Sequence, residues 1–573
     1  MTTPSNKDQN QKESGSPELK AQTSLPRFRG TVIPPLDSLI IKVLPPILII
    51  LVVAAVIMNP TGVSDIIQYL RTKITSGWAW FIILYSLVSV GMCIWLTFSK
   101  LGKVRLGGPK AAPEFSNFAW YSMLFACGQG IGLIFWSLAE PIMLKNDAGI
   151  LPINSNPGES GIVWGYFHWG FTAWAMYGVV AACLAYSHHN LGKTLTFREA
   201  TVDLLPKAAQ RPAGVVIEML AIIATVLGLA TSFAFASIQF SSGLQTLGLL
   251  GSNTTTWVVI IVVLGVLASF SAFVGLDKGM KIVSEANTIL SIVLVLSVLV
   301  IGPTVYILGN LVQTTGVFFD QFITMSFYVG PELTMSPLAS WKDSWNGWWT
   351  IFIWCWVIAF SPFVAGFIAR ISRGRTIREF VIGVTVIPSA IVMIWIGIIA
   401  SAGMYYDEQS KGLISAAIKA DSSSGLFAML DLLPFGGSLL MVVATILVAT
   451  YYVTSLDSGT YALSEFVSAP RKSSPAFRVV LVASIATVAI VLLSLGDNAV
   501  VDTVQTGVII GAFPFAFVIL LMIANLFRRL KTRNKAIKKL EKEINDPNFR
   551  EEDLLLDEHG IPLAPPANTV KSD

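Results

Sequence analysis

The feature that most constrains this chain is a succession of apolar stretches, each long enough to cross a bilayer. A transmembrane helix needs about 20 predominantly apolar residues. Stretches of that kind occur at approximately 38–58, 77–98, 115–142, 163–187, 215–246, 254–275, 284–308, 348–369, 380–404, 433–460, 478–495 and 506–527. Hydrocarbon offers the backbone no hydrogen-bond partner, so segments this long and apolar must be helical. The expected fold class is an all-α integral membrane protein with 12 transmembrane helices. Composition excludes a soluble globular chain: 54% of the 573 residues are hydrophobic and 13% charged. A net charge of +4 without a basic patch gives no reason to expect a nucleic-acid partner. Cys93, Cys127, Cys183 and Cys355 all fall in apolar spans, which argues against a disulfide framework or a metal cluster.

Lysine and arginine gather on alternate loops. Arg27 and Arg29 precede the first span; Lys100, Lys103, Arg105 and Lys110 follow the second; Lys193, Arg198, Lys207 and Arg211 follow the fourth. Lys278 and Lys281 follow the sixth, Arg370, Arg373, Arg375 and Arg378 the eighth, Arg471 and Lys472 the tenth, and Arg528, Arg529, Lys531 and Arg533 the twelfth. Basic loops stay cytoplasmic, so both termini are expected in the cytoplasm. Residues 1–37, polar and rich in Ser, Lys, Gln and Pro, read as a disordered cytoplasmic tail without a cleavable signal. Residues 38–527 form the membrane domain. Residues 528–573 form a cytoplasmic tail, basic and amphipathic from Arg528 to Lys542, then acidic and Pro-rich. The external segment 309–347, with an apolar stretch at Val312–Phe327, reads as a helix lying at the outer surface, or as a short re-entrant segment.

The third span contains Phe125-Ala126-Cys127-Gly128-Gln129-Gly130-Ile131-Gly132-Leu133. Each glycine costs a helix about 1 kcal/mol relative to alanine. Two readings are open. One is close helix packing through small residues; the other is a broken helix, which membranes tolerate only around a protein-lined or watery cavity and which secondary transporters use as a substrate site.

Aromatic residues crowd two spans. The fourth carries Trp164, Tyr166, Phe167, Trp169, Trp174 and Tyr177, with Trp174 and Tyr177 on one helix face. The eighth carries Trp345, Trp348, Trp349, Trp354, Trp356 and Phe360. Interfacial anchoring accounts for Trp341, Trp345, Trp348 and Trp349. It accounts less well for Trp174, Tyr177 and Trp356, which lie within spans. Aromatic faces around a cavity attract quaternary ammonium groups, by up to about 2 kcal/mol or more each when desolvated. The tenth span ends in Tyr451-Tyr452-Val453-Thr454-Ser455-Leu456-Asp457-Ser458, hard oxygens of the kind Na⁺ needs; the alternative is hydroxyl-to-carbonyl bonding along the helix. An acid inside a membrane span, as Asp457 is, usually has a function. Ser361-Pro362 reads as a second helix break. His168, His188, His189 and His559 show no metal-ligand spacing and no phosphate-cradling loop follows a strand, which disfavours an enzyme or an ATP-driven pump.

These residues resemble the betaine/choline/carnitine transporter (BCCT) family over about 38–527. The telling stretches are Phe125–Leu133 with Glu140-Pro141, Phe167-His168-Trp169 through Trp174 and Tyr177, and Ala221-Ile222-Ile223-Ala224-Thr225. Others are Trp349-Thr350-Ile351 through Trp356, Ser361-Pro362-Phe363, Ala369 through Phe380, and Thr454-Ser455 with Asp457-Ser458. The resemblance implies a LeuT-like fold, with spans 3–7 and 8–12 as inverted repeats behind two extra helices. It also implies a homotrimer and transport of trimethylammonium compounds or related zwitterions, in many members with Na⁺. It places an aromatic box on Trp169, Trp174 and Tyr177, and sets the unwound Gly128, Gln129, Gly130 and Gly132 backbone against the substrate's anionic group. One Na⁺ site falls on the carbonyls of Ala126, Gln129 and Tyr451 and the hydroxyls of Thr454 and Ser455. A second would use Thr225 and Phe363, but its other threonine position is Leu229, which cannot coordinate a cation; Thr231 or Ser232 is left as a shifted substitute.

The box departs from the family pattern as well. Trp-x-Trp-Trp is here Trp354-Cys355-Trp356-Val357, a further tryptophan position is Phe360, the aromatic expected before Trp354 is Ile353, and Gln129 replaces an apolar residue. Val357 removes one aromatic wall and opens volume, which favours a bulkier or less methylated zwitterion. No Lys or Arg occurs between Lys281 and Lys342 to replace a cation from the seventh span. The expectation is Na⁺ symport, with Na⁺ as coupling ion and no organic cofactor. The alternatives are H⁺ coupling through Asp457 or Glu140, exchange transport of choline, carnitine, ectoine or taurine, and an osmosensing membrane protein.

Overall fold

The computed structural model describes residues 35–128, 131–146, 155–274, 277–330, 345–468, 473–495 and 500–543. Every regular element among them is helical, with one isolated antiparallel bridge between Arg105 and Thr376. Those of 12 or more residues are, in chain order, α1 (Pro35–Met58), α2 (Pro60–Gly77), α3 (Ala79–Phe98), α4 (Asn117–Gly128), α5 (Ile131–Asn146), α6 (Pro157–Trp169), α7 (Phe171–Ala185) and α8 (Lys207–Thr246). There follow α9 (Thr254–Val274), α10 (Asp277–Ile301), α11 (Thr304–Ser326), α12 (Thr350–Ile371), α13 (Ile377–Gln409), α14 (Gly437–Ser468), α15 (Pro475–Leu495) and α16 (Val500–Glu543).

Local chemistry starts several of them. Asn156 caps α6 by accepting from the Glu159 N–H at 2.9 Å, with Pro157 in the first turn. Thr376 caps α13 through the Glu379 N–H at 3.1 Å.

Ten described helices are long and apolar enough to cross a bilayer, and an eleventh results if the pair α10 and α11, bent by 110°, is one span. The stretch expected as the third span is two helices of 12 and 16 residues, α4 and α5, neither of spanning length alone. The expected surface helix is α11; its bend from α10 falls at Gly302-Pro303, and it starts at Thr304, before the apolar stretch that suggested it.

Several expectations need correction. Ser361-Pro362 does not break a helix, since α12 runs through it from Thr350 to Ile371. The ring costs one backbone bond, the one to the Ile358 carbonyl; Ser361 Oγ donates to the Val357 carbonyl at 2.8 Å. The fourth span is not one uniform helix: it starts at Pro157, is interrupted at Gly170 (φ −93°, ψ −131°), and ends in a π turn at Tyr186–Asn190. Trp345 and Trp349 are not interfacial anchors. Both are buried; Trp345 packs edge-on against Trp164 at 4.6 Å and Trp349 against Trp136 at 5.7 Å. Trp341 lies outside the described residues.

Two groups of five spans pack by one rule. Match α4/α5 with α12, α6/α7 with α13, α8 with α14, α9 with α15, and α10 with α16. Then α8 meets α14 and α9 meets α15; α8 touches α15 and α16 as α14 touches α9 and α10; α7 touches α12 as α5 touches α13; and α16 touches α7 as α10 touches α13. An odd number of spans per group makes the second group enter from the opposite face, so the repeat is inverted. The centre lies where α5, α6 and α7, α12 and α8 meet.

The basic loops share one end of this bundle. Arg211 pairs with Asp37 at 3.0 Å, and Lys193 and Arg529 converge on Asp203 at 2.6 and 2.7 Å. Arg378 donates to the Thr97 and Ser99 carbonyls at 2.6 and 3.1 Å. The strand-like clasp of Val104–Leu106 with Gly374–Ile377 closes the same end, with Leu106 N donating to the Arg375 carbonyl at 2.9 Å.

Candidate functional site

The centre is built on close approach at Gly132, one residue into α5. A Cβ there would stand 2.9 Å from the Trp169 ring and 3.2 Å from that of Trp356, so only hydrogen lets both indoles lie on the helix start. Those rings meet edge to face at 5.7 Å and 80°. Trp356 is held in turn by Phe352 stacked at 5.4 Å, Phe235 at 5.5 Å and Phe360 edge-on at 6.2 Å. Its 5% exposure matches that of Val357, the next residue of α12.

Trp169 closes α6, and the interruption at Gly170 separates it from Trp174 and Tyr177 on α7. Those two meet edge to face at 5.8 Å and 75° and are buried. The structure thus forms two aromatic pairs, Trp169 with Trp356 and Trp174 with Tyr177. Ala126 and Gly128 are described only as the last turn of α4, and Gln129 and Gly130 lie outside the described residues.

A polar network that sequence reading missed lies behind Trp169. Glu140, fully buried on α5, accepts from the Trp169 indole N–H at 2.6 Å, and its other oxygen lies 2.5 Å from His168 Nδ1. His168 Nε2 lies 2.9 Å from Thr350 Oγ1 on α12. The partners are 28 and 182 positions apart in sequence, so no local spacing announced them. Gly161 makes the approach of α6 to α5 possible, since a Cβ there would run into the Pro141 carbonyl.

On α14, Thr454 Oγ1 donates within its own helix, to the Thr450 carbonyl at 2.9 Å or the Tyr451 carbonyl at 3.2 Å. Asn287 of α10 reaches Thr454 Oγ1 at 3.5 Å, and Ser291 reaches the Tyr451 hydroxyl at 3.0 Å. Asn287 is buried and its side-chain carbonyl oxygen has no donor among the described residues. Ser455, next in sequence, is partly buried.

Thr225 Oγ1 is committed to the Ala221 carbonyl at 2.7 Å, and Phe363 packs against Phe360 at 6.3 Å. Leu229 packs onto Gly459 between α8 and α14, and Thr231 Oγ1 donates to the Val504 carbonyl at 3.3 Å.

Asp457 faces elsewhere. It accepts from Ser271 at 2.8 Å and lines a cavity of about 410 Å³ at the basic end with Arg370, Ser458, Tyr461, Glu465 and Arg478. A second cavity of about 370 Å³ lies between the start of α6 and α11, lined by Asn156, Glu159, Tyr306, Asn310 and Gln313. No cluster of three or more His, Cys, Asp or Glu with metal-binding geometry occurs among the described residues.

Comparison with known proteins gives this arrangement its context. A glycine betaine transporter of Bacillus subtilis is 37% identical over 85% of this chain and 93% of that one. A glycine betaine transporter of Acinetobacter baylyi is 35% identical over 87% of this chain and 74% of that one. An ectoine/hydroxyectoine transporter of Virgibacillus pantothenticus is 33% identical over 87% and 96%. The model of the betaine/carnitine/choline family of transporters matches residues 40–535. The chain belongs to that family of transporters.

Proposed function

We propose that this protein imports a betaine-like quaternary ammonium compound or related zwitterion by Na⁺ symport and alternating access. The observation that carries the reading is the Trp169–Trp356 pair seated on Gly132, at the break between α4 and α5. A methylated cation has no N–H to donate, so a site for it needs π faces rather than acceptors. Trp169, Trp174, Tyr177, Trp356 and Phe360 supply rings at this level of the bundle. The anionic end of the substrate is assigned to backbone N–H groups freed by the helix break, at Gly128, Gln129, Gly130 and Gly132. Val357, a small wall beside Trp356, leaves room for a ring or a longer chain. The names of the relatives include both betaine and ectoine carriers, and Val357 supports the bulkier or less methylated member of that range.

The ion reading rests on donor chemistry. Na⁺ prefers hard oxygen ligands. The hydroxyls of Thr454 and Ser455 and the carbonyls of Ala126, Gln129 and Tyr451 are of that type. Asn287 faces Thr454 with its amide nitrogen and keeps a buried oxygen without a donor among the described residues, an acceptor that a nearby cation would satisfy. Na⁺ would supply a counter-charge linking α4 to α14, so that substrate and ion stabilise the same closed arrangement. The second site on Thr225 and Phe363 is incomplete, because Leu229 fills the position opposite. The chain would lie in a bacterial inner membrane with both termini cytoplasmic, 1–37 and 528–573 as tails of the 38–527 domain, and assemble as a homotrimer.

Thermal-shift measurements on the purified chain test this. Betaine or ectoine should raise the melting temperature in NaCl but much less in KCl, and Trp174→Ala should abolish the substrate-dependent part. A shift identical in the two salts would remove Na⁺ from the scheme, and one retained in Trp174→Ala would move the substrate elsewhere.

A further inference from the structure

We infer that Glu140 is a positioning residue for the substrate: it fixes the plane of the Trp169 indole and ties that ring, through His168 and Thr350, to α12. The inference rests on the aromatic-box reading above and assigns Glu140 a role distinct from ion coupling.

The geometry is specific. Both carboxylate oxygens are used, one accepting the Trp169 Nε1–H at 2.6 Å and the other 2.5 Å from His168 Nδ1. Facing a carboxylate, Nδ1 is the nitrogen that carries hydrogen, which leaves Nε2 of a neutral ring to accept from the Thr350 hydroxyl at 2.9 Å. Charge-assisted hydrogen bonds of this length are about twice as strong as neutral ones. Glu140 and His168 are fully buried, so water does not compete.

Other indoles are held differently: Trp120 and Trp257 donate to the Ser372 and Ser252 hydroxyls, each at 3.0 Å. The indole N–H groups of Trp136, Trp164, Trp345, Trp354, Trp356 and Trp395 are buried with no partner among the described residues. These rings are held by packing alone. Trp169 ends α6 at the Gly170 interruption, and a carboxylate on α5 holds its ring. An aromatic face attracts a cation only when it is turned toward it. The hydrogen bond also draws electron density toward the indole nitrogen, which strengthens the face presented to a cation. The chain Glu140–His168–Thr350 then couples the ring's orientation to α12, which carries Trp356.

A double-mutant cycle on betaine uptake tests this, with Glu140→Gln, Trp169→Phe and the double variant compared with wild type in proteoliposomes normalised to reconstituted protein. Each single change is expected to raise KM roughly tenfold with kcat altered less than about twofold, and the double variant should be no worse than the poorer single. Additive effects, or wild-type KM in Glu140→Gln, would overturn the inference. Glu140→Asp, run in parallel, keeps the charge but withdraws the oxygens by one methylene. It is expected to recover part of the affinity lost in Glu140→Gln, and it replaces that variant in the cycle if the latter fails to insert; no rise in KM in Glu140→Asp would then count against the role. Trp169→Ala separates this inference from the box itself. A large KM rise there with none in Glu140→Gln leaves the box intact and removes Glu140, whereas an unchanged KM in Trp169→Ala removes the box.

Discussion

Leu229 of α8 fills the notch over Gly459 of α14: a Cβ on that glycine would stand 2.8 Å from Leu229 Cδ1. The family resemblance puts a hydroxyl of a second ion site at this position, where leucine offers no oxygen, and the Thr225 hydroxyl is turned to the Ala221 carbonyl. The expected consequence is a single coupling ion. Uptake titrated with NaCl at saturating substrate should rise hyperbolically, with a Hill coefficient of about one, since that coefficient is bounded by the number of interacting sites. A clearly sigmoidal curve would place a second ion elsewhere, with Thr231 and Ser232 the first positions to replace.

Gly132 tests the central close approach. Alanine there must displace the rims of two large rings, the half-buried Trp169 and the buried Trp356. Overpacking of this kind costs typically about 1–3 kcal/mol. Gly132→Ala is expected to weaken substrate affinity by roughly tenfold while leaving the chain in the membrane, measured as KM for betaine uptake. Wild-type KM would mean that the break can relax away from the rings.

Asp203 offers a pH-dependent check on how the basic end is held. Partial burial pushes its carboxyl up, but the hydrogen bonds and charges of Lys193 and Arg529 outweigh that and hold it below the ordinary aspartate value. A carboxyl depressed in the folded state contributes stability above its unfolded pKa and loses it as pH falls through the folded one. Asp203→Asn should therefore melt below wild type at pH 7, and the two curves should converge on acidification below the usual carboxylate range. The difference is expected to be on the order of 1 kcal/mol or less, because the cluster is partly solvated. A gap that persists in acid would point to packing rather than charge.

How far the sequence foretold this molecule depends on the range over which each signal acts. The apolar spans and the helix α11 follow from patterns within about 20 residues and are legible, whereas the glycine run at 128–132 left a break and close packing equally open. The C-terminal basic segment reads as a helix and is one, continuous with the last span in α16 as far as Glu543. Pro362 misled because one proline removes a single backbone bond, and α12, buried on most sides, runs on through it. Trp345 and Trp349 misled because span-end tryptophans usually face headgroups, whereas here Trp164 and Trp136 bury them. α2 was missed because it lacks an apolar stretch of spanning length; it is anchored by Arg71, which donates to the Asp502 carbonyl at 2.8 Å. Glu140, His168 and Thr350 were beyond reach as a set, since no local pattern joins residues on α5, α6 and α12.

The most direct test of Na⁺-coupled import is substrate uptake into proteoliposomes with an inward Na⁺ gradient, compared with equimolar K⁺ at fixed pH and clamped membrane potential. Betaine or ectoine is predicted to accumulate above the external concentration only with Na⁺, and that dependence is predicted to disappear in the Thr454→Ala, Ser455→Ala variant. Equal accumulation in the two salts would contradict Na⁺ symport.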